Sequence, residues 1–311
     1  MLIFAIESSH DDTSFALLED NKPIWMETIS QIDIHRKYGG TVPELASRLH
    51  VKNIGILINK LKKIIDIKKI DYVAYTKEPG LVGSLHVGYV VANAIAMLLE
   101  KPILPLNHLE GHFFSAFIGK EVEYPALGLI VSGGHSQLML YKSKNEYEVI
   151  GQTQDDAVGE VFDKIARKLN LGFPGGPIID KKWMEFRDKY TEHFTIPHTE
   201  AQLNFSFSGL KTQVINLINN QINRKQEINV DQYATMFENT VVLYLKNHLE
   251  IAIKKYHPRV IVLAGGVSAN KAIREMFLNV HSNAIIPEMK YTTDNAMMIA
   301  RLAYELLRRD R

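Results

Sequence analysis

The feature of this chain that most constrains its fold is a pattern of strands, helices and glycine-rich loops that occurs twice. In each copy, three short apolar runs are followed by a helical stretch and by a buried strand that enters a glycine-containing loop. Ile6 and Ile130 occupy equivalent positions in the two copies. The predicted strands are 3–7, 14–18, 24–29 and 72–76 in the first copy, and 126–132, 136–141, 147–153 and 260–264 in the second. This repeat predicts an α/β fold of two duplicated lobes with a cleft between them.

The first of the two predicted lobes is discontinuous in the sequence. We expect the first lobe to comprise residues 1–117 and about 295–311, and the second lobe to comprise residues 118–294. A polar helical insert is predicted at 180–254, within the second lobe. The most polar stretch of this insert, 219–229, is rich in Asn and Gln and predicts a surface loop.

The composition excludes several classes of site. The 311 residues include no cysteine, which excludes disulfides, thiolate zinc sites, iron–sulfur clusters and a cysteine nucleophile. Any metal site must therefore use imidazole and carboxylate groups, and the chain has 12 histidines. Lys and Arg number 36 against 35 Asp and Glu, so the net charge of +1 provides no dominant basic field that would indicate a nucleic-acid partner.

Two apolar segments bear on the cellular location. Glu7 interrupts the N-terminal apolar run after six residues, and no basic segment precedes that run, which predicts a strand rather than a signal peptide. The apolar stretch 81–99 contains glycines and polar residues, which favours a buried helix over a membrane span. We therefore expect a soluble, cytoplasmic protein without a membrane partner.

The segment His108-Leu-Glu-Gly-His112 places two histidines four residues apart. On a helix these side chains share one face and can ligate the same metal ion, although two solvated or core histidines could show this spacing by chance. A zinc protease of this kind needs a glutamate directly after the first histidine. Glu110 comes one position later and, at about 100° per residue, lies about 200° around the helix from His108. The spacing therefore argues against a protease.

Asp294 is the best candidate for a third metal ligand. It precedes an amphipathic helical pattern, so the alternative is that this carboxylate only caps the helix. Two imidazoles and one carboxylate leave coordination positions open for a substrate, and such a set suits iron(II) or zinc.

Three glycine pairs are predicted to lie in turns that follow strands, where backbone N–H groups can approach a phosphate closely. The pairs are Gly133-Gly134, Gly175-Gly176 and Gly265-Gly266. No phosphate-binding P-loop motif and no dinucleotide-binding Gly-x-Gly-x-x-Gly motif is present, so each pair could also be a plain tight turn. Asp163 is predicted near a helix start, where it could bind a ribose hydroxyl pair or complement the helix dipole.

The motifs together resemble those of the tRNA threonylcarbamoyladenosine transferase family, in its bacterial branch, and the resemblance runs from about residue 2 to residue 300. Members of this family were once described as glycoproteases, which the position of Glu110 argues against. The matching segments are Glu7-Ser-Ser-His-Asp-Asp-Thr, Tyr38-Gly-Gly-Thr-Val-Pro-Glu-Leu-Ala-Ser-Arg, His108-Leu-Glu-Gly-His, Ser132-Gly-Gly-His-Ser, Asp155-Asp-Ala-Val-Gly-Glu-Val-Phe-Asp-Lys, Phe205-Ser-Phe-Ser-Gly-Leu-Lys-Thr, Ala264-Gly-Gly-Val-Ser-Ala-Asn and Thr293-Asp-Asn.

The resemblance implies both a fold and a set of binding residues. The fold is that of the actin, Hsp70 and sugar-kinase superfamily, in which two ribonuclease-H-like lobes enclose a central cleft. The implied metal ligands are His108, His112 and Asp294, and the metal is iron(II), with zinc as the second choice. The residues implied to hold an adenylate substrate are Ile130, Val131, Ser132, Gly133, Gly134, Asp163, Gly176, Asp180 and Asn270.

The resemblance also implies a reaction and partners. The family transfers a threonylcarbamoyl group from threonylcarbamoyl-AMP to N6 of the tRNA adenosine at position 37, next to the anticodon. A separate synthase makes the donor, and the bacterial enzyme works with an inactive paralogue and a small ATPase. The transfer needs no protein nucleophile, because the RNA amine is the acceptor; Asp11 is our candidate for a general base.

The chain departs from the family pattern at His10, where cysteine is frequent, and at Asp12, where glutamate is frequent, and it ends sooner than many relatives. Two alternative functions are a sugar- or acetate-kinase-like phosphotransferase and a non-catalytic nucleotide-binding scaffold of the same fold. A kinase has no need of the paired histidines, and a scaffold has no need of a complete metal triad with three glycine turns.

Overall fold

The computed structural model describes residues 1–196 and 203–308, which form two compact units. Unit 1 is Met1–Val122 together with the described residues from Pro287 onward, and unit 2 is the described part of Glu123–Ile286. Residues 197–202 of the predicted helical insert and residues 309–311 of the predicted first lobe lie outside the described residues.

Each unit contains one mixed five-stranded sheet with the same topology. In both sheets the third strand of the unit lies at one edge, followed in space by the second, first, fourth and fifth strands. The first three strands are antiparallel neighbours, and the fourth and fifth are parallel to the first. The strands of unit 1 are β1 (Leu2–Glu7), β2 (Asp12–Glu19), β3 (Lys22–Ser30), β4 (Tyr72–Glu78) and β5 (Ile103–Asn107), and those of unit 2 are β6 (Ala126–Val131), β7 (Ser136–Ser143), β8 (Glu146–Gln152), β9 (Val260–Ala264) and β10 (Ala284–Ile285).

The register confirms the equivalence that the repeat predicts. Ile6 of β1 pairs with Phe15 on the antiparallel neighbour and with Tyr75 on the parallel neighbour. Ile130 of β6 has the corresponding antiparallel and parallel neighbours, which are Gln137 and Ala264. Because order, direction and register all recur, the predicted α/β fold with two duplicated lobes is confirmed.

The helices connect and cover the strands of each unit. Unit 1 contains α1 (Ile32–His35), α2 (Pro43–Ile64), α3 (Val82–Leu99), α4 (His108–Ser115) and α10 (Ala296–Leu307). Unit 2 contains α5 (Val158–Lys168), α6 (Gly175–Phe186), α7 (Ser208–Asn223), α8 (Val230–Tyr256) and α9 (Lys271–Val280). The central strands β1 and β6 are buried along their whole length, as expected for strands with helices on both faces.

The C-terminal helix α10 belongs to unit 1, where it packs on β1, β2 and α4. Its contact with α4 is close, because a Cβ added at Gly111 would lie 2.8 Å from Cδ1 of Ile299. The buried Arg301 also ties α10 to the chain after α4 by donating from Nε to the carbonyl of Phe117 over 2.9 Å. This packing brings Asp294 into unit 1. In the prediction, by contrast, Asp294 is the last residue of the second lobe.

Helix α3 is less buried than the sequence predicts. Only a stripe of small residues along it is buried, namely Ser84, Gly88, Ala92 and Ala96. The close approach of Gly88 to the Ser8 side chain explains why this stripe is small. Five large apolar residues of α3 are exposed and the others are only partly buried, so the expectation of a buried helix is wrong. By length and composition alone, α3 could cross a membrane. Helices of soluble proteins can have the same length and composition, so this feature does not indicate a membrane span.

Two other local predictions are wrong in unit 2. The polar stretch 219–229 is not all loop, because α7 continues to Asn223. Leu210, Val214 and Ile218 anchor α7 at four-residue intervals, so its polar residues can lie on the outer face. The Gly175-Gly176 pair is not a turn after a strand but the first turn of α6. Gly175 permits this arrangement, since a Cβ there would lie 2.6 Å from the carbonyl oxygen of Phe162 on α5.

Candidate metal centre and glycine-turn site

The first site is in unit 1, at the point where β5 leads directly into α4. Asn107 ends the strand and caps the helix, because its side-chain oxygen accepts hydrogen bonds from the backbone N–H groups of Leu109 and Glu110. The helix then presents His108 and His112 one turn apart, with ring centroids 4.6 Å from each other. Both imidazoles are buried, as the predicted shared helix face requires.

Asp294 supplies a carboxylate to the two imidazoles. Its Oδ1 lies 3.1 Å from Nε2 of His112 and 3.4 Å from Nε2 of His108. The alternative role of Asp294 as a helix cap is wrong, because the next residue, Asn295, accepts from the Met298 N–H and caps α10. The carboxylate of Asp294 is therefore directed to the histidines rather than used for helix capping.

The geometry of these three donors fits a metal ion. One ligand atom from each residue lies within 4.8 Å of the other two, and among the described residues this is the one group of three His, Asp or Glu side chains that could hold a metal ion. A metal about 2.1 Å from each donor would hold neighbouring donors roughly 3.0–3.4 Å apart, which matches the two distances to Asp294. Glu110 is not in this group, consistent with its position around the helix.

Glu7 is a further carboxylate at this site and was not identified from the sequence. Its Oε2 lies 3.1 Å from Nδ1 of His108, the ring nitrogen that does not face Asp294. The carboxylate is fully buried at the end of β1 and accepts hydrogen bonds from the Ser9 backbone and from the Thr76 hydroxyl. A carboxylate on the outer nitrogen of a ligating histidine fixes the orientation and tautomer of the ring.

Asp11, the predicted general base, is bonded to its neighbour His10. Its Oδ1 lies 2.8 Å from Nδ1 of His10, whose side chain is exposed. The part of the His10 ring that is buried lowers its pKa, but Asp11 and, more weakly, Asp294 raise the pKa by a larger amount, so the net shift is upward. Burial raises the pKa of Asp12 to about 7, and its Oδ1 is buried without a hydrogen-bond partner among the described residues.

The second site is in unit 2, at the turn between β6 and β7. The turn is closed by the Ser132 N–H, which donates to the carbonyl of His135 over 2.8 Å. The N-terminus of α5 packs on it, because the Gly159 N–H donates to the Ser132 carbonyl over 3.2 Å. Ile130 and Val131, which precede the turn, have fully buried side chains. They could therefore offer only main-chain groups to a ligand in this structure.

The glycines of the three pairs fall into two groups. Gly175 and Gly265 are required by packing, because an added Cβ would collide with main-chain atoms, and Gly265 also has a φ of +87°. By contrast, a Cβ at Gly133, Gly134, Gly176 or Gly266 would meet no described heavy atom within 4 Å, and none of these four has a left-handed φ. The fold itself therefore does not explain why the second group lacks side chains.

The remaining predicted binding residues lie on or next to helices of unit 2. Asp163 lies inside α5 rather than at its start, and its Oδ1 accepts from the Gly175 N–H at the start of α6 over 2.6 Å. Asp180 of α6 accepts from the Lys271 and Ala272 N–H groups at the start of α9. Asn270 caps the same helix. The structure thus brings Asp180 and Asn270 together at the start of α9 and places Asp163 beside the glycine pair of α6.

Comparison with known proteins decides the family. The sequence profile of the tRNA N6-adenosine threonylcarbamoyltransferase (TsaD) family matches residues 24–301. The protein of that name from Metamycoplasma arthritidis is 71% identical over 308 residues, which are 99% of each chain. The one from Mycoplasmopsis agalactiae is 54% identical over the same share of both chains. The chain belongs to the tRNA N6-adenosine threonylcarbamoyltransferase family. The predicted family and its enzyme class, an acyltransferase, are confirmed.

Solved structures of other proteins have folds similar to that of this chain. The crystal structure of T. kodakarensis HypF matches 98% of the chain with a TM-score of 0.68 and 13% sequence identity, and the chain spans 47% of that protein. Full-length HypF in the phosphate- and nucleotide-bound form matches with a TM-score of 0.65 and 12% identity. At such identities the likeness concerns the fold alone, and it agrees with the predicted superfamily.

The electrostatics of the site in unit 1 favour a bound cation. Burial lowers the pKa of His108, but the charges of Asp294 and Glu7 outweigh this effect and raise it to about 10. Burial likewise raises the pKa of Asp294, whereas the two histidines hold it well below its usual range. Burial lowers the pKa of His112, although its hydrogen bond to Asp294 acts in the opposite direction. Two carboxylates therefore face one imidazolium, and a divalent cation that displaced the proton of His108 would balance the charges of both carboxylates.

Proposed function

We propose that this chain transfers the threonylcarbamoyl group of threonylcarbamoyl-AMP to N6 of the adenosine at tRNA position 37. The observation that carries the proposal is the convergence of His108, His112 and Asp294 in a member of this family. In the reaction, N6 attacks the carbonyl carbon of the mixed anhydride and forms a new N–C bond. The C–O bond to the phosphate breaks, AMP leaves with the electron pair, and N6 loses one proton.

We propose that the three converging residues hold one divalent metal, iron(II) in preference to zinc. When bound, such an ion supplies Lewis acidity toward substrate oxygens. The imidazole and carboxylate donors suit both metals, and the preference for iron(II) comes from the family resemblance. Glu7 would keep the Nε2 atom of His108 directed to the ion by holding Nδ1 on the other side of the ring.

The donor adenylate is proposed to bind the glycine turns of unit 2. Gly134 and Gly176 support this proposal because their missing side chains leave open space that the fold does not require. Backbone N–H groups at such positions can approach phosphate and carbonyl oxygens closely. Asn270 would contact the nucleoside from the start of α9, Asp180 from the adjacent part of α6, and Asp163 from α5.

Asp11 is proposed as the group that accepts the proton from N6. Its carboxylate is paired with the exposed His10, so a proton taken up by Asp11 has a route toward solvent. Replacing Asp11 by Asn would remove the basic oxygen while keeping its size. The expected loss in transfer rate is about 10²–10⁴-fold, the usual contribution of general base catalysis.

The proposed partners are the tRNA, an inactive paralogue and a small ATPase, with a separate synthase that supplies the donor. The face of α3 supports the docking of a paralogue of the same fold, because its exposed side chains include Val82, Tyr89, Val90, Met97 and Leu98. A contiguous apolar surface of this kind typically marks a protein interface. The near balance of charges also suits an enzyme that depends on partners for part of its tRNA affinity, and we propose the cytoplasm as its location.

The proposed function is tested by incubating the chain with unmodified tRNA, threonine, bicarbonate, ATP, the donor-making synthase and the two partner proteins. Nucleosides from the tRNA are then analysed by mass spectrometry. We expect threonylcarbamoyladenosine with the wild-type chain and with His193→Ala, which changes an exposed histidine of unit 2. We expect none with His112→Ala. Product formation at an unchanged rate by His112→Ala would contradict the proposal.

A further inference from the structure

A buried carboxylate in unit 2 has no part in the reaction derived above. Glu238 lies on α8, and its side chain is fully buried. Its Oε1 accepts a hydrogen bond from Nδ2 of Asn270 over 2.7 Å. Its Oε2 is buried as well and has no hydrogen-bond partner in the described structure.

The surroundings of Glu238 favour the uncharged acid. A buried carboxylate is tolerated in the charged form only when cations or several hydrogen bonds compensate for the loss of water. Within the described residues, Glu238 has no ion-pair partner, and Asn270 is its sole hydrogen-bond partner. Burial accordingly raises the pKa of Glu238 well above its usual range, and the nearby charge of Asp180 raises it further.

The contact with Glu238 fixes the side-chain amide of Asn270. The Oδ1 atom of Asn270 accepts from the Ile273 N–H over 2.9 Å and caps α9, while Nδ2 donates to Glu238. The two contacts together exclude the flipped amide, in which oxygen would face oxygen and N–H would face N–H. An amide nitrogen carries two N–H bonds, and the second one of Asn270 has no acceptor among the described residues.

We propose that Glu238, as an uncharged acid, is a positioning residue that holds the Asn270 amide so that its second N–H can donate to the adenylate. This inference rests on the proposed function, in which Asn270 and Asp180 contact that nucleotide. The carboxylic acid offers one acceptor toward Asn270 and one donor on Oε2. Glutamine has the same size and the same pattern, with its carbonyl as acceptor and its NH₂ as donor.

The test measures the affinity for AMP by calorimetry in a set of variants. We expect Glu238→Gln to bind within about twofold of the wild type, because it preserves the contact. We expect Glu238→Leu to bind about tenfold more weakly, which corresponds to the loss of one oriented hydrogen bond. Glu238→Asp shortens the side chain by one methylene and moves the acceptor away from Asn270, so it should also weaken AMP binding. This variant replaces Glu238→Leu in the test if the leucine variant does not fold. Thr235→Val is the matched control, since it removes another buried polar group of α8 that bonds within its own helix.

A double-mutant cycle separates positioning from a merely structural role. If Glu238 acts through Asn270, then Glu238→Leu should have no further effect on AMP affinity when Asn270 is already alanine. Additive losses, or wild-type affinity in both Glu238→Leu and Glu238→Asp, would overturn the inference while leaving the adenylate site in place. Wild-type affinity in Asn270→Ala alone would overturn the adenylate site, and this inference with it.

Discussion

Glu7 Oε2 and His108 Nδ1 lie 3.1 Å apart, although 101 positions separate these residues in the sequence. The contact forms because β1 and β4 are parallel neighbours, and β4 is the neighbour of β5, after which α4 begins. Glu7, at the carboxyl end of β1, therefore lies next to His108 at the start of α4. The same arrangement lets Thr76 of β4 donate to the carboxylate of Glu7. Sheet topology thus positions a residue that no local motif connects to the candidate metal ligands.

Replacing Glu7 by Gln should weaken metal binding without removing any ligand atom. The amide would no longer stabilise His108 electrostatically, and it could offer an N–H where a hydrogen-bond acceptor is needed. Loss of such an outer partner typically costs about 10- to 100-fold in metal affinity. Titration of the metal-free protein with iron(II) or zinc would measure the change. Glu110→Gln is the matched control, and equal affinities for the two variants would contradict the role of Glu7.

Metal binding should release close to one proton at neutral pH. In the metal-free site the pKa of His108 is raised to about 10, so this imidazole is protonated, and it must lose its proton to ligate a metal. Metal affinity should therefore rise with pH up to this value. Calorimetric titration in two buffers with different ionisation enthalpies would count the protons released. Binding without proton release at pH 7 would show that His108 is already neutral in the metal-free protein.

The charge state of Glu238 predicts a pH-dependent stability. Its pKa is raised in the folded state by burial, so folding retains a proton that the unfolded chain loses above its ordinary pKa, which is about 4.3 for glutamate. The folded state of the wild type should consequently lose stability relative to Glu238→Gln as the pH rises above that value. Urea unfolding of both proteins between pH 5 and pH 9 would give the difference. Glu250→Gln, on the exposed side of α8, should show no such trend, and parallel curves for wild type and Glu238→Gln would argue for a charged Glu238.

The glycines of the β6–β7 turn and of α5 should respond differently to substitution. Gly134→Val should change the free energy of unfolding by no more than about 0.5 kcal/mol, because an added Cβ meets open space. It should weaken AMP binding at least about tenfold, since the side chain would occupy the approach to the turn. Gly159→Ala should instead destabilise the fold, because its Cβ would lie 2.6 Å from the Ser132 carbonyl oxygen. Unchanged AMP affinity in Gly134→Val, measured by calorimetry, would make this turn a structural feature only.

The sequence predicts features that depend on local periodicity, and it misses those that depend on packing between distant segments. The alternation of short apolar runs predicts both sheets, and the four-residue spacing predicts that His108 and His112 share a helix face. It does not predict whether Asp294 or Asn295 caps α10, since both residues can cap a helix. Nor does it place Gly175 at the start of α6, because that position depends on the close approach of α5.

Glu110 and His108 should have opposite importance for threonylcarbamoyl transfer. A metalloprotease depends on the glutamate beside its histidines as general base and loses about 10²–10⁴-fold in rate without it. Here the potential ligands are His108, His112 and Asp294, and Glu110 is turned about 200° away from His108 around the helix. Glu110→Gln should therefore transfer within about tenfold of the wild-type rate, equivalent to about 1.4 kcal/mol of barrier.

His108→Ala should abolish transfer in the same assay, because it removes a metal ligand and leaves Glu7 and Asp294 without their shared cationic partner. Mass spectrometry of tRNA nucleosides after reaction with the reconstituted partners would compare the two variants directly. The wild-type chain should also leave casein and glycoprotein substrates intact. A Glu110→Gln variant as inactive as His108→Ala would show that the helix geometry does not determine the role of Glu110. Peptide cleavage that disappears in that variant would instead identify Glu110 as the base of a protease.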